Sequence, residues 1–213
     1  MEESKDFQRG LEIIETRAVS LNRFLQAYRQ LAQMPTPSLR ECVLGPIVKR
    51  VADLETRTIV RTSAGPEAVL KADPDQIEQM LINLVRNAAE AALERPSAGS
   101  NGGTSSSRHE PPEVRVSWET TNKDAIVVIQ DNGAGLSNPH NVFVPFYTTK
   151  ASGSGIGLVL ARQIAEAHGG SIELSNRSNG RGCVVKVVLP RLLSPLRTLH
   201  ESNLASPIER GGK

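Results

Sequence analysis

Aromatic side chains are scarce: four Phe, two Tyr and one Trp, 3% of 213 residues. That is too few for the stacking platforms that bind single-stranded nucleic acid. A dominant charge is missing as well. Lys and Arg number 25 against 23 Asp and Glu, a formal net charge of +2, so no broad basic field points to nucleic acid as a partner. Cysteine is limited to Cys42 and Cys183, which lie far apart without metal-ligand spacing and read as isolated reduced thiols. No run approaches the ~20 apolar residues of a membrane span, and no signal peptide opens the chain. The chain therefore reads as cytoplasmic, alone or as part of a longer protein. Its length and its 38% of apolar residues suit one good-sized domain with an appendage.

What is present begins with a period. Phe7, Leu11, Ile14, Ala18, Leu21, Leu25, Tyr28 and Ala32 alternate spacings of four and three, the a/d pattern of a coiled-coil seam. An amphipathic helix packed on its own domain would carry a similar stripe. Pro35 and Pro37 stop the pattern and favour a helix that pairs with other helices. Residues 1–34 are thus expected as a long coiled-coil-type helix and 35–42 as a stiff linker. Beyond it, 44–54 reads as a short amphipathic helix and 58–62 and 68–72 as strands. Asp73-Pro74-Asp75 is a helix start, with a capping Asp, a Pro in the first turn and acids near the positive helix end; that helix runs to about Glu94. Residues 96–112 (PSAGSNGGTSSSRHEPP) read as a flexible insert. Strands follow at 113–119 and 125–130, then a helix over 156–167 that ends at His168-Gly169-Gly170. A closing hairpin of 171–175 and 183–189 comes next, and the tail 191–213 is expected to be poorly ordered. Mixed helices and an antiparallel-leaning sheet imply an α+β two-layer sandwich over 43–190.

Four clusters carry chemistry. Asn83, Asn87 and Glu90 fall at i, i+4 and i+7 of the long helix and share one face. Two asparagines mid-helix carry a propensity cost, and a neutral amide oxygen suits Mg²⁺, which keeps several waters and substrate phosphates as its other ligands. Solvent-facing asparagines are the plainer alternative. Asp131-Asn132-Gly133-Ala134-Gly135 follows a strand, placing a carboxylate that can accept from an exocyclic amine beside a loop open to close approach; the same residues also suit an ordinary turn. Gly153-Ser154-Gly155-Ile156-Gly157-Leu158 opens a helix, where bare backbone N–H groups favour phosphate. It is neither a Walker loop nor a Rossmann fingerprint. Phe143-Val144-Pro145-Phe146-Tyr147-Thr148-Thr149-Lys150 precedes it, an aromatic anchor and a lysine of the kind a lid over phosphates needs. Lys150 is the candidate phosphate contact.

In this order N-x-x-x-N-A, D-x-G-x-G, F-x-P-F-x-T-T-K, G-x-G-x-G-L and G-R-G resemble the Bergerat-fold ATPases, which include DNA gyrase B subunits, heat-shock chaperones, mismatch-repair ATPases and histidine kinases. The F-P-F-Y-T-T-K form and A-x-x-H-G-G-S-I are most similar to sensor histidine kinases of the nitrogen-regulation type. The resemblance implies the Bergerat ATP-binding fold with ATP and Mg²⁺ as cofactors. By resemblance Asn87 is the metal ligand, Asn83 stands near the phosphates, and Asp131 takes the adenine amino group beside Gly133 and Gly135. Gly153 to Leu158, with Lys150, surround the phosphates. Gly180 and Gly182 form a third glycine box, followed by Cys183 where relatives often carry Thr.

Hydrolysing relatives carry Glu where this chain has Asn83, and an amide cannot take a proton from water. The implied activity is therefore phosphoryl transfer by positioning and charge neutralisation. The acceptor would be a histidine on a dimerisation hairpin, for relay to a response regulator receiver domain. The residues at 1–34 resemble the second helix of that hairpin, which implies a homodimer; the chain is expected to be cytoplasmic, either by itself or as the cytoplasmic portion of a membrane-bound sensor. His109, His140, His168 and His200 are the histidines of the chain, and none sits in an H-E-x-x-N-P setting on a heptad helix. The expectation is a truncated kinase that binds ATP but lacks its own acceptor. A non-catalytic ATP-binding sensor or scaffold, or a chaperone- or topoisomerase-like ATPase, remain as alternatives.

Overall fold

The structure, a computed structural model, describes residues 2–94, 110–148, 150 and 153–192. The heptad region folds as one helix, α1 (Glu2–Ala32). After it come β1 (Arg40–Val43), α2 (Leu44–Leu54), β2 (Ile59–Thr62), β3 (Val69–Ala72) and α3 (Pro74–Leu93). The second half holds β4 (Glu113–Thr120), β5 (Asp124–Asp131), α4 (Gly157–Ala167), β6 (Ser171–Asn176) and β7 (Cys183–Pro190). No helix among the described residues is long and apolar enough to cross a membrane.

Alternation dictates which face of the sheet is inside. Ala125, Val127, Ile129 and Asp131 are the buried half of β5, and Cys183, Val185, Val187 and Leu189 that of β7. The strands order as β2-β4-β5-β7-β6. All neighbours are antiparallel except β2 and β4, which run parallel. Against this face α3 sets Ile77, Met80, Leu81 and Leu84, each no more than 1% exposed. Burial of each such side chain contributes about 1.5–3 kcal/mol. The helices α2 and α4 flank α3 and close a two-layer α/β sandwich.

The helix start read from Asp73-Pro74 is built as expected. Asp73 Oδ1 accepts from the N–H groups of Asp75 and Gln76 at 3.1 and 3.2 Å. Its other oxygen accepts from Ser38 N at 2.9 Å, and Gln76 Nε2 donates to Pro35 O at 2.9 Å. The segment expected as a linker over 35–42 is thus fastened to α3, and from Arg40 it becomes β1, pairing antiparallel with β3. The four residues of β1 are too few to show a period of two, and their partner lies about thirty positions away, so no local signal marks them. The tail also starts later than 191: Arg191 bridges Leu70, and Leu192 N donates to Val69 O at 2.9 Å. Residues 193–213 and the insert from 96 to 109 lie outside the described residues; Glu110 to Pro112 lead directly into β4.

Five residues of the heptad row, Leu11, Ile14, Leu21, Leu25 and Tyr28, are 50–66% exposed. They do not pack on the sandwich.

Candidate functional site

Asp131 closes β5 on the strand's inward parity, and only 3% of it is exposed. Its Oδ1 accepts from Gly133 N at 2.8 Å and Cys183 N at 3.2 Å. Burial pushes its carboxyl above the usual range; the two backbone donors and the charge of Arg177 offset this only in part. The glycines around it are steric necessities. A Cβ on Gly133 would run into the Ala91 carbonyl near the end of α3, and one on Gly182 (φ +115°) into the carbonyl of Asp131 itself. Gly135 has φ +85°, and its neighbour Leu136 is clamped by Asn176, which accepts from Leu136 N at 2.6 Å and donates to Leu136 O at 3.1 Å. The Arg177 guanidinium donates to Asp131 O at 3.3 Å. Asn132, buried beside Asp131, is occupied by Glu113 N and Pro111 O and anchors β4. The Cys183 thiol, buried next to the Asp131 carboxylate, is pushed up to about 12. It is a small neutral wall and no thiolate nucleophile.

The face of α3 predicted from spacing borders this corner. Asn83 accepts at Oδ1 from Gln79 at 3.5 Å, while its Nδ2 is buried without a hydrogen-bond partner among the described residues. A buried donor left in that state calls for a ligand or water. A Cβ on Gly157 would stand 3.6 Å from Asn87 Nδ2, so the start of α4 faces Asn87 with no side chain between. No side chain caps α4 and its first turn holds no acid. Its leading N–H groups therefore lack side-chain acceptors among the described residues and carry the positive end of the helix. Ile156 is buried and Leu158 is packed against the core, so these two offer backbone only; Ser154 is exposed.

The aromatic-lysine segment is tied to the same place. Phe146 N donates to Gly155 O at 3.1 Å. Both residues are left-handed, at φ +66° and +67°, and a Cβ on Gly155 would come 2.5 Å from the Phe146 carbonyl carbon. A bulky residue in this region stores strain. Gly153 abuts the Thr148 hydroxyl. Arg162 of α4 lies over the Phe143 ring, 5.1 Å from its centroid. Thr149, Ala151 and Ser152 lie outside the described residues. Lys150 Nζ is 2.6 Å from Glu90 Oε2, and Glu90 also meets Arg86 Nε at 3.0 Å and Arg57 at 3.5 Å.

The structure brings Asn83, Asn87, Glu90 and Lys150 together on one side, and Asp131, Gly133, Gly135, Gly182 and Cys183 on the other, with Gly153 to Leu158 at the first. Sequence reading missed Asn176, Arg177, Arg86 and Arg57, whose roles arise from contacts across the fold. Among the histidines, His168 is fully occupied: its Nε2 accepts from Asp73 N at 3.0 Å and its Nδ1 lies 2.7 Å from Ile164 O, which places the proton on Nδ1. His109 and His200 lie outside the described residues, as does the side chain of His140.

Known proteins resemble this chain in sequence and in fold. Residues 72–193, more than half of the chain, match the family described as histidine kinase-, DNA gyrase B- and HSP90-like ATPases. The nitrogen regulation protein NtrY of Azorhizobium caulinodans is 26% identical over 189 residues, covering 86% of this chain and 23% of that protein. The sensory histidine kinase/phosphatase NtrB of Rhizobium leguminosarum bv. phaseoli is 36% identical over 142 residues, 62% of this chain and 36% of its own. The chain thus spans well under half the length of these relatives. Among solved structures, the catalytic domain of histidine kinase ThkA superposes with TM-score 0.57 at 26% identity, covering 72% of this chain and 96% of that one. With its buried aspartate, bare helix start and ordered glycine turns, the chain belongs to the histidine kinase-, DNA gyrase B- and HSP90-like ATPase family.

Proposed function

We propose that this chain is the ATP- and Mg²⁺-binding catalytic domain of a two-component sensor histidine kinase. It transfers the γ-phosphoryl group of ATP to a histidine on a dimerisation hairpin, from which a response regulator receives it. The observation that carries the reading is the juxtaposition of Asn87 with the glycine-lined start of α4, which no side chain among the described residues caps. Asp131 accepts the adenine amino group, and Gly133 and Gly182 let the backbone around it close up against Ala91 and Asp131 itself. The N–H groups opening α4 receive phosphate oxygens, and the orphaned Asn83 amide donates to them.

The donor set fits a magnesium ion held mainly by substrate. Among the described residues no three His, Cys, Asp or Glu side chains converge, and Asn87 presents a neutral amide at the phosphate side. Bound there, Mg²⁺ would neutralise phosphate charge. Asn87→Ala is expected to leave ATP binding weak and indifferent to magnesium, about tenfold down from wild type in the presence of the metal. Titration calorimetry with and without Mg²⁺ measures this, and retained metal dependence would remove Asn87 from the site.

The chemistry needs no base on α3. An imidazole lone pair attacks phosphorus as its bond to the bridging oxygen breaks and ADP leaves, so positioning and charge carry the rate. Asn83 cannot activate water, which argues against a chaperone- or topoisomerase-like hydrolase. Full-length ShkA, whose structure holds AMPPNP, superposes with TM-score 0.61 at 19% identity, a likeness of fold. ThkA has been solved in complex with the response regulator TrrA, a relative's partner of the class proposed here. The exposed apolar row of α1 supports pairing with a second copy.

The test adds a separately expressed histidine hairpin and radiolabelled ATP. Acid-labile phosphate on the hairpin, with little phosphate released to water, is expected. Binding without transfer would favour an ATP-binding sensor or scaffold, and steady hydrolysis by the wild-type chain would favour the ATPase reading.

A further inference from the structure

Glu90 stands one helical turn beyond Asn87, on the face proposed to meet the triphosphate, and a carboxylate there repels what the site must bind. Its charge does not go unanswered. The Lys150 ammonium lies 2.6 Å from Oε2, with each side chain 23% exposed. Arg86 Nε stands 3.0 Å and an Arg57 guanidinium nitrogen 3.5 Å from Oε1. Arg57 is itself oriented by Glu55, through bonds of 3.0 and 2.6 Å. Burial pushes the Glu90 carboxyl up, but the bonds and charges of Lys150 and Arg86 outweigh it and hold the group below its usual range. The carboxylate is ionised and bound to the one cation of this cluster that comes from the segment ahead of the glycines of α4.

We infer that Glu90 competes with the phosphates of ATP for the ammonium of Lys150 and thereby lowers the affinity of the site for nucleotide. The inference rests on the ATP reading of the site. Two anions, one resident and one arriving, share a single cation. The arrangement of the arginines makes the exchange feasible: when Lys150 turns to phosphate, Glu90 keeps Arg86 and Arg57 and is not left buried and unpaired, which would be costly. Glu90 is therefore a positioning residue that acts through Lys150. Affinity is held down in exchange for a site whose lysine is released only by a polyphosphate, so that a ligand without phosphates to offer gains nothing from Lys150.

The test is calorimetric Mg·ATP titration of the full chain as wild type, E90Q, K150M and the E90Q/K150M double variant, with thermal unfolding to confirm folding. E90Q is expected to bind ATP roughly two- to fivefold more tightly, on the scale of a partly exposed ion pair. K150M should bind about tenfold more weakly. On the K150M background the E90Q change should confer no gain. E90D, which withdraws the carboxylate from Lys150, should give a smaller gain and substitutes if E90Q does not fold. Unchanged or weaker binding by E90Q would show Glu90 to be a support and overturn the inference. A gain that persists in full without Lys150 would also overturn it, because simple removal of negative charge would then suffice. Wild type that fails to bind ATP overturns the nucleotide reading itself, whereas wild type that binds while E90Q is unaltered overturns only the competition.

Discussion

Asp131→Asn is expected to remove most of the affinity for ATP while leaving the nucleotide-free protein as stable as wild type, or more so. Asparagine keeps an oxygen for Gly133 N and Cys183 N, which now meet Asp131 Oδ1 at 2.8 and 3.2 Å. It replaces the other carboxylate oxygen with an amide donor, which opposes the adenine amino group. A hydrogen bond to a charged group contributes about 1.5–3 kcal/mol, so the loss in binding is on the order of 10- to 100-fold. Stability runs the other way. Burial raises the folded-state pKa of Asp131 above its ordinary 3.8, so folding favours the protonated carboxyl. That contribution is fully present below the unfolded value and is lost as pH rises through the folded one. At pH 7 the ionised carboxylate opposes folding, and the neutral variant escapes this cost. Thermal unfolding from pH 3.5 to 8 should show Asp131→Asn gaining on wild type as pH rises. A variant that is clearly less stable at pH 7, or that still binds ATP at full strength, would remove Asp131 from the proposed role.

The largest loss of stability is expected from Gly182→Ala. The added methyl would occupy the position of the Asp131 carbonyl, a backbone atom fixed by the pairing of β4 with β5. The residue also sits at φ +115°, where a side chain is strained whatever the space. Clash and strain together should cost roughly 3 kcal/mol or more. Gly180 supplies the control. Its φ is +113°, yet nothing lies within 4 Å of its added Cβ, so Gly180→Ala carries strain alone, about 1–2 kcal/mol. Urea unfolding of both variants separates the two effects. Equal midpoints would mean that the Asp131 carbonyl yields freely and that the corner is not rigid.

What the sequence made legible is what depends on near neighbours. Asp73 beside Pro74 announces the start of α3. The apolar run over 125–130 marks β5 and puts Asp131 at its end, but with no alternation to read, the burial of Asp131 emerges only once β4 and β7 flank the strand. The spacing of Asn83, Asn87 and Glu90 places them on one helix face before any tertiary contact is known. What stayed hidden is set by distant partners. Nothing around Arg40 to Val43 indicates a strand, because its stabilisation comes from β3. Asn176 looks like an ordinary strand-end asparagine until the fold lays it on the backbone of Leu136, forty residues earlier in the chain. Lys150 is readable as a phosphate contact from its motif, but its bond to Glu90 spans sixty positions and has no local trace.

The segment between α1 and the sandwich has a mechanical consequence. It is riveted at two points, Ser38 to Asp73 and Pro35 to Gln76, and both points belong to the first turn of the helix that bears Asn83 and Asn87. The segment that follows α1 is therefore no slack tether: its bonds end on the first turn of α3, two to four helical turns before the asparagines. His168, at the far end of α4, accepts from the Asp73 amide. The two helices that frame the proposed phosphate site thus share one anchor, Asp73, and the same residue holds the segment that leads in from α1.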